Sequence, residues 1–318
     1  MVGKCLSDRK GVGIMSIVEK TFKNGEVIIK EGDIGKSFFQ LVDGNAYVYA
    51  GYGKNDQVQL SVLNAGEFFG EMAILEAYPR SATIVARGTV TAIEIPEGDM
   101  NSFFKENPDM ILELMKHLGS RVQAMTKDYN DAQALLKQVR ESEDAKKNKS
   151  LFSKIKKHID VYQSNKNKIE VPDTDPLREA LKDSTDKGSG EIKDYLKGRI
   201  IFKEGTPGEC MYILHRGTVG MYSDFRKREE VKLIDINAIS IFGEMGIIAS
   251  GEPRVATAVS ETNDTKVEII YPDDLVKIFN ECPAKIDAIL RHLSYRLRKI
   301  NKEFLNTCKE ITESYNGK

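Results

Sequence analysis

Short runs of β-branched and aromatic residues, broken by glycine turns, occur in two separate parts of the 318-residue chain. The first is EVIIKEGDIGKSFFQLVDGNAYVYAGYG and the second is RIIFKEGTPGECMYILHRGTVGMYSD. Runs of this length, bounded by Gly and Asp-Gly, predict the strands of an antiparallel β-barrel or jelly roll. Further strand-like runs, TAIEIP and KVEIIY, follow in the two parts.

A helical pattern closes each part, with apolar residues at alternating gaps of three and four. In the first part the seam consists of Ile111, Leu114, Leu118, Val122, Met125, Tyr129, Ala132, Leu136 and Val139. In the second part it consists of Ile286, Ile289, Leu293, Leu297, Ile300 and Phe304. Each helix could pack on its own strands, but a seam this long favours contact with another helix. That helix would come from the same chain, as an intrachain pseudo-dimer, or from a second protomer, as a homodimer.

The two parts are copies of one domain. FGEMAILEAYPRSATI, which begins at Phe69, returns as FGEMGIIASGEPRVATA, which begins at Phe242, an offset of 173 residues. The offset becomes 174 at the arginines, Arg80 and Arg254, and 175 at the prolines that precede the long helices. Several anchored segments with so little drift indicate a duplication.

The repeated stretch combines groups that suit a ligand with both hydroxyl and phosphate groups. Gly70 allows close approach of the backbone, and the Glu71 carboxylate accepts hydrogen bonds from hydroxyls. EMAILEA predicts a helical turn or two, whose N-terminus presents free N–H groups to an anion. Arg80 adds the guanidinium fork that matches phosphate oxygens. The alternative is that Glu71 and Arg80 simply form a salt bridge, which a duplication would also preserve.

Composition excludes several classes of function. The chain is 41% hydrophobic and 30% charged, with net charge −1, which is typical of a globular protein without a general attraction to nucleic acid. No apolar run has a membrane span's length, and the N-terminus lacks a signal peptide pattern, so we expect a cytoplasmic protein with reduced cysteines. Scattered Cys and His residues, and the lack of a nucleophile–base pair or P-loop, argue against metal binding and catalysis.

The repeated stretch resembles the phosphate-binding cassette of cyclic-nucleotide-binding domains, F-G-E-[LM]-[AG]-[LI]…P-R-[AST]-A-T. The resemblance covers residues 20–126, hereafter the first copy, and residues 195–301, the second copy. It implies an α+β fold with two β-rolls (jelly rolls of the double-stranded β-helix type), each followed by a long helix. The predicted domains are residues 16–140 and 191–312, with a charged linker at 141–190.

The resemblance also implies roles for individual residues. The glutamate accepts from the ribose 2′-hydroxyl, the arginine binds the cyclic phosphate, and backbone N–H groups complete the cradle. The residues assigned in this way are Gly70, Glu71, Ala73, Arg80 and Ser81 in the first copy and Gly243, Glu244, Gly246, Arg254 and Val255 in the second. The ligand implied is cAMP or cGMP, and no other cofactor is expected.

The base preference stays open. Ser81 is compatible with either nucleotide, whereas Val255 has no hydroxyl and favours cAMP in the second copy. In the bacterial cAMP receptor proteins a Thr-Ser pair on the long helix contacts adenine. Alignment on ENPD places that pair at Met125 and Thr126 in the first copy, and at Ile300 and Asn301 in the second.

The expected function is that of a non-enzymatic sensor that signals to a protein effector through its long helices. Only LNTCKEITESYNGK follows the second helical seam, so we expect no helix-turn-helix and no direct DNA binding. The first sixteen residues lack the Arg-Arg motif of kinase regulatory subunits. Two alternatives are a transcription regulator that acts through a protein partner and a scaffold with empty sites. The lysine-rich linker could be an amphipathic helix for membrane or nucleic acid, although a solvated helix that packs its apolar side on the barrels is favoured.

Overall fold

The computed structural model describes residues 18–55, 57–76, 79–141, 155–156, 158–160, 175, 177, 190–248 and 251–316. The first copy contains six strands: β1 (Val18–Phe22), β2 (Val27–Ile29), β3 (Ser37–Ala50), β4 (Val58–Leu63), β5 (Phe68–Phe69) and β6 (Thr83–Pro96). Helix α1 (Glu71–Glu76) lies between β5 and β6, and α2 (Met100–Glu106) and α3 (Asp109–Glu141) follow. All of its strand pairs are antiparallel, in the order β1-β6-β3-β4, with β2 on β6 and β5 on β3.

The second copy repeats this order, with two short strands in place of each of the two 14-residue strands of the first copy. Its strands are β7 (Glu191–Tyr195), β8 (Ile200–Phe202), β9 (Met211–Arg216), β10 (Thr218–Ser223), β11 (Val231–Asn237), β12 (Ser240–Phe242), β13 (Thr257–Ser260) and β14 (Thr265–Ile270). Its helices are α4 (Met245–Ile248), α5 (Asp274–Glu281) and α6 (Pro283–Asn316). Two antiparallel sheets form, in the orders β11-β10-β13-β8 and β12-β9-β14-β7. The predicted double β-roll fold is therefore confirmed.

The cores of the two rolls contain matching positions. In the first roll Ile29, Phe39, Leu41 and Phe69 are buried together with residues of β6. In the second roll Phe202, Tyr212, Leu214 and Phe242, each 173 residues later, form the corresponding cluster. The alternation of inward apolar and outward polar side chains along these strands explains why the repeat survives in packing as well as in sequence.

The long helices are buried along the predicted seams. Ile111, Leu114 and Leu118 of α3, and Ile289, Leu293 and Leu297 of α6, are all at most 1% exposed. Among the described helices, none has a stretch apolar enough to span a bilayer.

The chain divides into two compact units that differ from the sequence copies. The first unit contains residues 1–103, 121–172 and 294–318, and the second contains residues 104–120 and 173–293. Each unit thus includes one β-roll and part of each long helix. The domain boundaries predicted from the sequence concern the copies and stay predictions.

Within the first unit, the C-terminal halves of α3 and α6 pack side by side. Leu136 and Val139 of α3 join Phe304 and Ile311 of α6 in one buried cluster. Two hydrogen bonds flank the cluster, from Gln133 to Thr307 and from Arg140 to Glu310, both at 2.8 Å. The sister helix of the same chain therefore covers this part of the α3 seam.

Part of the predicted linker packs on this helix pair. Ile155 is completely buried in the cluster, and Ile159 packs against it. A helix with a packed apolar side is thus supported where the linker is described, but that side packs on the long helices, whereas the sequence suggests packing on the barrels. Most of the lysine-rich segment, including Leu151, Phe152 and Tyr162, lies outside the described residues.

Candidate functional site

Both cassette arginines are buried inside their rolls, in equivalent surroundings. Arg80 and Arg254 are each 7% exposed. Arg80 donates from its two terminal nitrogens to the carbonyl oxygens of Gly70 and Ser37. Arg254 donates to the carbonyl oxygens of Gly243, at 2.6 Å, and Cys210, at 2.7 Å. The four acceptors are pairwise equivalent at the 173-residue offset, so both copies hold the guanidinium in the same way.

The backbone of each arginine is fixed by the loop that follows the second strand of its roll. The backbone amide of Arg80 donates to the carbonyl oxygen of Asp33, and the amide of Gly32 donates to the carbonyl oxygen of Arg80, both at 2.9 Å. Arg254 makes the same pair of hydrogen bonds with Thr206 and Gly205, both at 2.8 Å. The isolated bridges Ile34–Pro79 and Pro207–Pro253 extend this pairing by one residue. The end of each cassette is therefore attached to the loop that contains Glu31-Gly32 in the first roll and Glu204-Gly205 in the second.

The same arrangement of side chains closes that loop in both copies. The carboxylate of Glu31 accepts from the amide of Gly51, and that of Glu204 accepts from the amide of Asp224, both at 2.8 Å. The amides of these glutamates donate to Thr83 and Thr257 at 3.0 Å. Glu31-Gly32 and the equivalent Glu204-Gly205 thus support the loop beside the arginine.

Glycine is required where the arginine passes the start of the cassette helix. Gly70 has φ +80°, and a Cβ at this position would come within 2.6 Å of Nη1 of Arg80. Gly246 does not have a positive φ, but a Cβ added there would lie 2.6 Å from the carbonyl oxygen of Cys210 and 2.7 Å from Nη1 of Arg254. Close approach of backbone and guanidinium explains both residues.

The surroundings of the two guanidinium groups differ in their side chains. Cζ of Arg254 lies 4.5 Å from the ring centroid of Phe202 and 5.5 Å from that of Tyr212. The equivalent positions in the first copy are Ile29 and Phe39.

Burial lowers the pKa of Arg80, although the charges of Glu71, Asp33 and Glu94 oppose that shift. Burial also raises the pKa of the Tyr212 phenol.

The cassette glutamates are buried. Glu71 is 1% exposed and Glu244 is 8% exposed. The Glu71 carboxylate binds Nη1 of Arg121 on α3 at 2.6 Å. Arg80 directs its hydrogen bonds to backbone carbonyls, so a salt bridge with Glu71 does not account for its geometry, although the two charges attract each other.

The remaining predicted site residues lie around these groups. Helix α1 begins at Glu71, as expected, and α4 begins at Met245, one residue after Glu244. Ala73 is in α1, and its side chain lies outside the described part. Gly243 is half-buried. Ser81 is exposed, and Val255 is 84% exposed.

The helix residue predicted to face the base is bonded to its own helix. Thr126 donates its hydroxyl to the carbonyl oxygen of Val122 at 2.7 Å. Its neighbour Met125 packs against a cluster of Met72, Val122 and Leu297 beside α1. Through Leu297, this cluster places α6 in contact with α1 of the first cassette. Next to it, Arg298 of α6 donates to the carbonyl oxygen of Met72 at 3.2 Å.

Sequence reasoning missed Arg121 and Arg298. The seam pattern counted apolar residues, and each arginine lies directly beside a seam residue, Val122 or Leu297, without being part of the seam. Leu297 was part of the predicted seam, but nothing in the sequence indicated that its neighbour contacts a cassette more than two hundred residues away.

Comparison with known proteins identifies the repeated unit. The family model described as "Cyclic nucleotide-binding domain" matches residues 19–107 and 192–282, which contain both cassettes. The two matches together cover more than half of the chain.

Individual relatives share parts of the chain. It is 44% identical over 78 residues to a cGMP-dependent protein kinase of Plasmodium berghei, covering 24% of this chain and 8% of the kinase. It is 24% identical over 302 residues to a cAMP-dependent protein kinase regulatory subunit of Dictyostelium discoideum, covering 94% of this chain and 74% of the subunit. Among solved structures, cAMP-bound PfPKA-R is 19% identical with a TM-score of 0.36, covering 85% of this chain and 75% of that one. From the family-model match, the chain belongs to the cyclic nucleotide-binding domain family.

Proposed function

We propose that the chain is a non-enzymatic sensor that binds a cyclic nucleotide, cAMP or cGMP, in each of its two rolls. The observation that carries this proposal is the equivalence of Arg80 and Arg254. Each is a buried cation held on two backbone carbonyls beside the start of a cassette helix. A buried cation is costly unless a specific partner offsets the loss of solvation, and an anionic ligand supplies such a partner.

The proposed roles follow the family resemblance. Arg80 and Arg254 bind the cyclic phosphate, and Glu71 and Glu244 accept from the ribose 2′-hydroxyl. Backbone groups complete each cradle, and Thr126 faces the base in the first site. The backbone positions are Gly70, Ala73 and Ser81 in the first copy and Gly243, Gly246 and Val255 in the second.

Ligand binding in this scheme rearranges existing hydrogen bonds. Each arginine would exchange at least one neutral carbonyl acceptor for a charged phosphate oxygen, which is the stronger partner. Because one acceptor belongs to Gly70 or Gly243, the exchange frees the residue immediately before the cassette glutamate. We propose that this release shifts the cassette helix, and that the packed long helices carry the change to a partner.

We further propose that the partner is a protein, and that the two long helices act as an intrachain pseudo-dimer. The packing of Leu136 and Val139 against Phe304 and Ile311 in the first unit supports the pseudo-dimer. The similarity to a cAMP-dependent kinase regulatory subunit over 94% of this chain makes a kinase catalytic subunit the first candidate.

Equilibrium binding of radiolabelled cAMP and cGMP to the purified chain tests the proposal. We expect saturable binding of at least one of them, displaced by the same unlabelled nucleotide and not by 5′-AMP or 5′-GMP. If neither nucleotide binds, the scaffold alternative replaces the sensor.

A further inference from the structure

Arg298 of α6 is a buried cation that contacts the first cassette. It is 4% exposed and donates from Nη2 to the carbonyl oxygen of Met72, in the first turn of α1, at 3.2 Å. By sequence α6 belongs to the second copy, whereas α1 belongs to the first. All of these residues lie in the first unit.

Apolar packing brings the two helices together at this point. Leu297, next to Arg298, is 1% exposed and shares a buried cluster with Met72 of α1 and Val122 of α3. Removal from water lowers the pKa of Arg298 to about 10, while the charge of Glu71 acts in the opposite direction. Arg298 therefore stays a cation at neutral pH, and the cassette glutamate stabilises it.

The contact is not a product of the duplication. The position equivalent to Arg298 at the 175-residue offset is Gln123, which is exposed on α3. Leu297 does have an apolar equivalent, Val122, so the seam is repeated while the arginine is not. A buried cation added at one of two equivalent positions costs desolvation energy that general helix packing does not require.

We propose that Arg298 is a positioning residue for the first nucleotide site, so that the affinity of this site depends on α6. The inference rests on the proposed function, because it concerns the same cassette. Arg298 holds the first turn of α1 through Met72 and adds a positive charge that attracts the buried Glu71 carboxylate, the proposed acceptor of the ribose hydroxyl. By thermodynamic linkage, nucleotide at the first site then stabilises the position of α6.

The experiment uses the full chain with Arg254→Ala, which leaves only the first site for nucleotide. Three variants are compared in this background: Arg298→Gln, Arg298→Lys and the control Lys299→Gln. Lys299 is the exposed neighbour on α6, so its substitution removes the same charge without touching the cassette. Binding of the preferred nucleotide is measured by calorimetry, and amide hydrogen exchange of residues 72–76 and 294–311 is measured with and without ligand.

Loss of a charge-assisted hydrogen bond predicts binding about ten- to a hundredfold weaker in Arg298→Gln. We expect partial recovery in Arg298→Lys, which keeps the charge and one donor, and no change in Lys299→Gln. Exchange of residues 72–76 should accelerate in ligand-free Arg298→Gln. Protection of residues 294–311 by nucleotide should be lost in the same variant.

The outcomes separate this inference from the proposed function. If the Arg254→Ala parent binds but Arg298→Gln binds equally well, the positioning role is wrong and the sensor proposal stands. Unchanged exchange of residues 72–76 in ligand-free Arg298→Gln overturns the contact independently of any ligand. If the wild-type chain binds neither cAMP nor cGMP, the proposed function fails and the nucleotide part of this inference fails with it.

Discussion

Cζ of Arg254 lies 4.5 Å from the centroid of the Phe202 ring in the second roll. Phe202 is itself 9% exposed and stacks with Tyr212 at a centroid distance of 5.3 Å. The equivalent of Phe202 in the first roll is Ile29, which has no π face. The two arginines thus have the same backbone acceptors but different side-chain surroundings, so the two sites need not respond alike to ligand.

Phe202→Ile gives the second roll the residue of the first and removes this cation–π contact. Because both the cation–π contact and the packing of the ring are lost, the free energy of unfolding should decrease by about 1–3 kcal/mol. Urea denaturation measures it, with Ile29→Val as the comparison for a small core truncation, expected to cost about 0.5–1.5 kcal/mol. Equal losses in the two variants would argue against a separate contribution from Arg254 and the ring.

Gly246→Ala introduces the residue that the first copy has at Ala73. Its Cβ would meet the Cys210 carbonyl oxygen at 2.6 Å, and this atom belongs to backbone that cannot rotate away. We expect a destabilisation of about 1–3 kcal/mol and weaker nucleotide binding at the second site. Gly98→Ala is the matched control, because a Cβ there has no neighbour within 4 Å. A thermal unfolding midpoint equal to that of the control would contradict the close approach.

A buried ionic network in the second unit predicts a pH dependence of stability. The Glu268 carboxylate, 0% exposed, accepts from Nζ of Lys285 at 3.0 Å, and it bonds Nε2 of His215 and the amide of Gly190, both at 2.8 Å. Desolvation raises the pKa of Glu268, but these partners outweigh it and the pKa is lowered from its ordinary value of 4.5.

A carboxyl group with a lowered folded-state pKa stabilises the fold above its unfolded pKa, and the contribution is lost as the pH falls. Unfolding free energy should therefore drop as the pH decreases below about 4.5, and Glu268→Gln should flatten that part of the profile. Chemical denaturation between pH 3 and pH 7, roughly the range that includes the titration of carboxyl groups, measures the slope of the unfolding free energy against pH. A wild-type slope retained in Glu268→Gln would show that other carboxyl groups dominate.

The same network allows a double-substitution test, because strand register places Ile93 of the first copy at the position of Glu268. The first-copy equivalent of Lys285 is Met110. Lys285→Met alone leaves a buried carboxylate and should cost about 3–5 kcal/mol. Adding Glu268→Ile should recover part of that loss. Additive losses in the double variant would mean that the two charges are not coupled.

Cys308 should be unreactive in the folded chain. It is completely buried, and burial raises the pKa of its thiol to about 12. At pH 8 the thiolate is then too scarce for reaction, whereas the half-buried Cys282 is more accessible. Peptide mapping after brief treatment with a maleimide should show modified Cys282 and unmodified Cys308, and urea should expose both. Rapid native modification of Cys308 would contradict the burial.

The duplicated fold was predictable because its signals are local. Glycine turns, strand alternation and the repeated FGEM and PR segments fix the rolls and the cassettes residue by residue.

The contacts that join distant segments were not predictable. Met72 and Arg298 are 226 residues apart, and an apolar seam does not show which neighbouring polar residue is buried with it. The acceptors of Arg80 were also unexpected, because Ser37 and Gly70 contribute carbonyl oxygens, which every residue has. Sequence patterns report side chains, whereas these interactions depend on backbone atoms brought together by the fold.

The central claim is that each roll holds one cyclic nucleotide on its cassette arginine. Calorimetric titration of the wild-type chain, Arg80→Ala, Arg254→Ala and the double variant with cAMP and cGMP tests it directly. We expect two sites in the wild type, one in each single variant and none in the double variant. Two sites retained in either single variant, or binding retained in the double variant, would contradict it.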